Sequence, residues 1–166
     1  MDDEDDRGYS RAPQLADVVG LCRSLNRERV RYLLIGGWAV ILHGYVRTTK
    51  DVDLLVDTTP DNVLALKRAL ADLPDNAIEE LQEGEIEKYS VVRVADEIVV
   101  DLMAQACGIT WRQAADEGVE GMELEGVSIP VPRKEVLVRM KETVRPSDAA
   151  DVAYLRLRIA EDAHSR

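Results

Sequence analysis

Apolar residues recur along the chain with two periods, and the alternation between them predicts the elements. Leu15, Val18, Val19, Cys22 and Leu25 recur at helical spacing within 12–28, with Pro13 suited to a first turn. Residues 31–35, Arg-Tyr-Leu-Leu-Ile, form a short apolar run ended by Gly36-Gly37, which predicts a buried strand and a tight turn. Trp38 to His43 predicts a short helix closed by Gly44. Residues 51–56, Asp-Val-Asp-Leu-Leu-Val, predict a second strand. Thr59-Pro60-Asp61 starts the next helix, whose apolar positions are Leu64, Leu66, Ala69, Leu70 and Leu73, with a further turn over 77–83. Residues 88–94 and 97–103 predict a hairpin, 110–117 a short helix, and 119–124 with 127–131 a second hairpin around Glu125-Gly126. The remainder is helical, over about 133–144 and then, after a break at Pro146, about 147–161 with Ser147 as N-cap. Strands and helices mixed with frequent hairpins predict an α+β fold with a mixed β-sheet flanked by helices and a C-terminal helical segment over about 133–162.

Within that pattern the aspartates stand out. Asp51 and Asp53 are two apart in a strand, so they project from one face while Val52 and Leu54 project from the other. Two carboxylates that close repel each other unless a positive charge lies between them, and a hard divalent cation, Mg²⁺ or Mn²⁺, suits them. An exposed strand end with solvated aspartates is the plainer alternative. Three features weigh against it. The aspartates interrupt a core-like run; Gly36 and Gly37 lie upstream, where backbone N–H groups could approach phosphate oxygens; and Asp101 closes another apolar strand, Ile98-Val99-Val100. If the strands are neighbours, three carboxylates converge, enough with phosphate oxygens to hold two metal ions.

Composition and charge narrow the setting. The chain has 166 residues and a formal net charge of −11, which disfavours nucleic-acid backbones without a local basic patch. Part of the excess lies at the N-terminus, where residues 1–11 read as an acidic disordered tail before a single domain over 12–166. Cys22 and Cys107, the only cysteines, lack zinc-site spacing and predict reduced, mostly buried thiols. An acidic start and the lack of a 20-residue apolar run predict no signal peptide, no membrane span and a cytoplasmic location.

Leu34-Ile35-Gly36-Gly37-Trp38-Ala39-Val40 and Arg47-Thr48-Thr49-Lys50-Asp51-Val52-Asp53-Leu54 resemble the signature of the polymerase-beta-like nucleotidyltransferases: a diglycine or Gly-Ser turn, a spacer, then a strand with paired carboxylates. The match is closest to the AbiEii-type group, which includes toxin components of bacterial toxin–antitoxin systems. Lys141, Arg145, Asp148 and Asp151 resemble that group's Lys-x3-Arg-x2-Asp-x2-Asp segment. Lys141 and Arg145 would share a helix face if the helix continues to Pro146, and two cations there suit a triphosphate. Asp148 and Asp151 would orient Lys141 or Arg145 by ion pairing, or lie on the surface. Arg47 and Lys50 either contact phosphate or pair with Asp51 and nearby acids. The resemblance implies transfer of a nucleoside monophosphate from an NTP to an acceptor hydroxyl on a tRNA end, a protein side chain or a small molecule, with Asp51, Asp53 and Asp101 as metal ligands and Asp101 also as general base. It equally admits an inactive nucleotide-binding module or a protein neutralised by an antitoxin. A basic groove for tRNA would have to come from Arg23, Arg27, Arg29, Arg31, Arg133, Lys134, Arg139, Lys141 and Arg145.

Overall fold

The computed structural model describes residues 10–165. Helix α1 (Leu15–Arg27) buries Val18, Val19, Leu21, Cys22 and Leu25, the stripe its spacing requires. It leads into β1 (Tyr32–Ile35), whose four residues are all buried. Helix α2 (Gly36–Leu42) follows without an intervening turn. The expected diglycine turn is therefore corrected: Gly36 and Gly37 are the first two residues of the helix, and Gly36 takes a φ of 69° at the junction. That left-handed backbone is open to glycine at little cost.

Strand β2 (Asp51–Val56) and helix α3 (Pro60–Leu70, Pro60 in its first turn) come next. A 3-10 turn (Ala77–Glu80) and the short α4 (Glu85–Lys88) precede β3 (Val92–Ala95) and β4 (Val99–Met103). The expected hairpin forms, but residues 88–91 lie outside its first strand. A tiny hairpin, β5 (Gln105–Ala106) with β6 (Ile109–Thr110), turns at Cys107-Gly108, both at positive φ (47° and 80°). Helix α5 (Trp111–Glu117), capped by Thr110, leads into β7 (Val119–Leu124) and β8 (Val127–Pro132), which turn at Glu125-Gly126, again both at positive φ.

Helix α6 (Lys134–Met140) is shorter than its pattern predicts, and Lys141 is its C-cap. Pro146 does not interrupt the last helix but begins it: α7 runs Pro146–His164 with Arg145 as N-cap, in place of Ser147. Proline has no N–H to lose at a first helical position, so it starts a helix as readily as it breaks one.

The main sheet has the order β1-β2-β4-β3, with β1 antiparallel to β2, β2 parallel to β4 and β3 antiparallel to β4. It is the mixed sheet that the sequence predicts. The core gathers Leu34, Val52, Leu54, Leu66, Leu70, Val100, Leu102 and Leu155, all at 0% exposure, and Trp38 joins them. Of the expected tail, residues 1–9 lie outside the described residues; Ser10 and Arg11 are docked, Ser10 Oγ donating to the Asp96 carbonyl and Arg11 N to that of Glu97. Among the described residues no helix is long and apolar enough to cross a membrane.

Candidate active site

Period-two alternation along β2 buries Val52 and Leu54 and leaves Asp51 and Asp53 half-buried on the other face. The parallel register with β4 sets Asp53 directly beside Asp101, and Asp101 is itself buried at 5% exposure. One carboxylate oxygen from each of Asp51, Asp53 and Asp101 lies within 4.8 Å of the others. Burial, and then repulsion from Asp51 and Asp101, pushes the Asp53 carboxyl up to about 7. Burial and the neighbouring Asp101 likewise raise Asp51. Burial and crowding thus make Asp51 and Asp53 costly to ionise without a cation beside them. A cluster of hard oxygen donors of this kind fits a divalent cation of the Mg²⁺ type.

Gly36 is essential to this packing. A Cβ built on it would stand 2.0 Å from Asp53 Oδ2, so the strand-to-helix junction is bare where the carboxylate rests. Gly37 has a different neighbour: its Cβ would meet Thr49 Oγ1 at 2.9 Å and Arg47 Nη1 at 3.2 Å. One glycine therefore seats the aspartate and the other seats the loop that leads to it.

The triad lies along a cleft of about 620 Å³, whose walls include Gly36, Arg93, Met103, Lys141, Arg145 and Asp148. That volume lies within the range of ligand pockets, roughly 300–1,000 Å³. Arg145 is exposed on the rim, and its charge partly offsets the raised pKa values of Asp51 and Asp53. Lys141 is placed otherwise than the sequence predicts. Because α6 ends at Met140, Lys141 and Arg145 do not share a helix face. Lys141 is buried at 7% exposure, with Nζ 2.8 Å from Asp151 Oδ2 and 3.4 Å from Asp148 Oδ1. Arg47 does not pair with Asp51; its Nη1 donates to the same Asp151 Oδ2 at 2.6 Å. Asp151 Oδ1 has no hydrogen-bond partner among the described residues. Lys50 is exposed, one residue before the triad.

Two further features depart from what the sequence predicts. Arg93, absent from the expected site residues, stands opposite Asp101 in the β3–β4 register and binds both Asp101 and Asp51. The basic groove is largely neutralised: Arg27 pairs with Asp72, Arg31 with Asp57, Arg133 with Glu135, Lys134 with Asp162 and Arg139 with Glu117. Cys22 is buried as expected, whereas Cys107 is exposed at the cleft, its thiol donating to the Met140 carbonyl at 3.1 Å.

No protein-family model matches the chain, and no curated protein matches it. Among solved structures it is similar to a crystal structure from Thermotoga maritima described as a candidate nucleotidyltransferase, with a TM-score of 0.52 over 91% of this chain and 88% of that one. The fold is of the nucleotidyltransferase type. Identity between the two chains is 17%, so the likeness is one of fold, and the chemistry has to be argued from the triad and its cleft.

Proposed function

We propose that the protein is a metal-dependent nucleotidyltransferase that moves a nucleoside monophosphate from an NTP to an acceptor hydroxyl and releases pyrophosphate. The observation that carries this reading is the carboxylate triad, crowded and partly buried, along a cleft edged by Arg93, Lys141 and Arg145. The fold likeness and the sequence resemblance to the AbiEii-type group point the same way. Asp51, Asp53 and Asp101 would hold Mg²⁺ or Mn²⁺. Such ions neutralise the triphosphate and leaving pyrophosphate and lower the pKa of an acceptor hydroxyl.

The chain's own residues then orient and protect. Asp51 and Asp53 line the cleft from β2, an inner strand of the sheet. Gly36, lacking a Cβ, lets the Asp53 carboxylate rest against the strand-to-helix junction. Asp101 is the carboxylate that receives the acceptor proton. Exposed Arg145 engages the β- and γ-phosphates. Lys141 acts one step back: it lies between Asp148 and Asp151 and adds positive potential to the triad rather than gripping phosphate directly. Phosphoryl transfer of this kind depends on positioning and charge neutralisation more than on covalent chemistry.

The paired state of the basic residues supports an acceptor that is a small molecule or a protein side chain over a tRNA end. The test is incubation with Mg²⁺ or Mn²⁺ and each labelled NTP against total tRNA, cell lysate and an aminoglycoside panel. A metal-dependent labelled product that Asp53→Asn abolishes is the expected result. Undiminished labelling by Asp53→Asn would remove the triad from the mechanism.

A further inference from the structure

Arg93 belongs to β3, an edge strand of the sheet, and reaches across its neighbour to the triad. Its Nε lies 3.0 Å from Asp101 Oδ1, and its Nη2 lies 3.1 Å from Asp101 Oδ2 and 3.2 Å from Asp51 Oδ2. One nitrogen is thus shared between two carboxylates that are themselves candidate metal ligands. The guanidinium supplies positive charge to two of the three carboxylates in the metal-free protein. Its side chain is nonetheless 47% exposed, and these ionic contacts help to hold it in place. Half-solvated, on a long stem and beside an open cleft, it has somewhere to go.

We propose that Arg93 is a displaceable internal cation. In the metal-free protein it holds Asp51 and Asp101 together. When a divalent cation enters the triad, Arg93 gives up its contacts with Asp51 and Asp101 and turns its guanidinium to the phosphate oxygens of an NTP in the same cleft. The physical ground is competition: a guanidinium and a divalent ion cannot share the same carboxylate oxygens at close range without strong mutual repulsion. Arginine is suited to the exchange, because its planar fork binds carboxylate and phosphate with the same geometry. The effect rests on the proposed metal site, and it gives one residue opposite influences on the two ligands.

The experiment measures Mn²⁺ binding by calorimetry, without nucleotide, for the wild type, Arg93→Ala and Arg93→Met, the last keeping much of the aliphatic stem. Far-UV circular dichroism confirms that each variant is folded. Both variants are expected to bind Mn²⁺ about tenfold more tightly than wild type, a modest figure because the arginine is half exposed. With Mn²⁺ saturating, both are expected to bind a non-hydrolysable NTP about tenfold more weakly, the loss of one charge-assisted contact. Arg93→Lys, which keeps charge without the fork, falls between. If wild type binds Mn²⁺ and the folded variants bind it no more tightly, the displacement proposal fails while the metal site stands. If neither wild type nor variants bind Mn²⁺, the metal site itself fails and the proposal with it. Tighter Mn²⁺ binding with unchanged NTP affinity overturns the transfer of Arg93 to phosphate.

Discussion

Two charged clusters adjoin the same cleft, the second only through Lys141 and Asp148, and they are built on opposite terms. In the first, Asp51, Asp53 and Asp101 crowd within 4.8 Å with Arg93 bridging two of them, and the Asp53 carboxyl is pushed up to about 7. In the second, Lys141 and Arg47 meet Asp148 and Asp151, two cations with two anions, and Asp151 is buried at 1% exposure. The second cluster joins parts distant in sequence: the loop before β2, the end of α6 and the first turns of α7. The first joins adjacent strands that the sheet would hold together anyway. A balanced buried cluster spends its charge on itself and ties segments together. An unbalanced one keeps charge in reserve for a ligand.

The comparison predicts opposite signs for similar substitutions, and the largest effect falls on activity. Asp53→Asn should reduce metal-dependent nucleotidyl transfer by about a thousandfold or more, on the order of 4 kcal/mol in transition-state terms. The same variant should leave the metal-free protein at least as stable as wild type at pH 8, because a charge crowded by its neighbours is gone. Thermal melts in EDTA beside the labelled-NTP assay check both halves. A variant that loses activity because it unfolds would erase the distinction between the clusters.

In the second cluster the order reverses. Asp151→Asn removes the carboxylate that Lys141 and Arg47 share and leaves the buried Lys141 with Asp148 alone. Breaking a buried pair this way costs about 3–5 kcal/mol, which for a chain of this size lowers the melting temperature by roughly 10 °C. Activity per folded molecule should fall far less than in Asp53→Asn, since Asp151 acts on the triad only through Lys141. Urea unfolding together with activity below the transition separates the two contributions.

The two clusters also differ in how legible they are in the sequence. Asp51-Val52-Asp53 is plain to see, because carboxylates at period two interrupt an otherwise apolar strand. The partnership of Asp53 with Asp101 requires the parallel register, which no local pattern carries. Arg93 has a weaker signal: a hairpin that pairs Ala95 with Val99 must pair Arg93 with Asp101. An arginine on a short edge strand usually faces solvent, and that expectation hides it. The second cluster depends on where a helix stops. Continuing α6 to Pro146 aligns Lys141 with Arg145, whereas the helix ends at Met140 and Lys141 turns inward to acids on α7. The diglycine suggests a turn because glycine pairs usually make one. Its physical use is the space it leaves, for Asp53 at one residue and for Thr49 at the next.

The unbalanced cluster also sets a pH dependence. The Asp53 pKa lies above its ordinary value of 3.8, so the folded metal-free protein binds that proton more tightly than the unfolded chain does. The stability tied to this proton is complete below about pH 4 and is lost as pH rises through about 7. Melting temperature in EDTA should therefore decline between pH 5 and pH 8 by roughly 5 °C, as an order of magnitude. Mn²⁺ should bind more tightly over the same range and release a proton as it binds. Asp53→Asn should flatten both trends. A metal-free protein that grows more stable across that range would mean the triad is not short of positive charge.

The smallest expected effect tests whether the fastening side is only a fastener. Tyr154 on α7 stacks on Tyr45, with ring centroids 4.6 Å apart, and its hydroxyl donates to the His43 carbonyl at 2.9 Å. It therefore holds the same loop as the Arg47–Asp151 pair, through neutral contacts. Tyr154→Phe keeps the stacked ring and removes one hydrogen bond, which costs about 1 kcal/mol and roughly 3 °C of melting temperature. If the balanced cluster does no more than anchor, transfer activity and Mn²⁺ affinity should stay within about twofold of wild type, since the loop remains pinned by Arg47. A larger loss of activity in a variant this mild, with the fold intact, would mean that the loop's exact placement governs Asp51, and that the two clusters form one device whose balanced half sets the geometry of the unbalanced half.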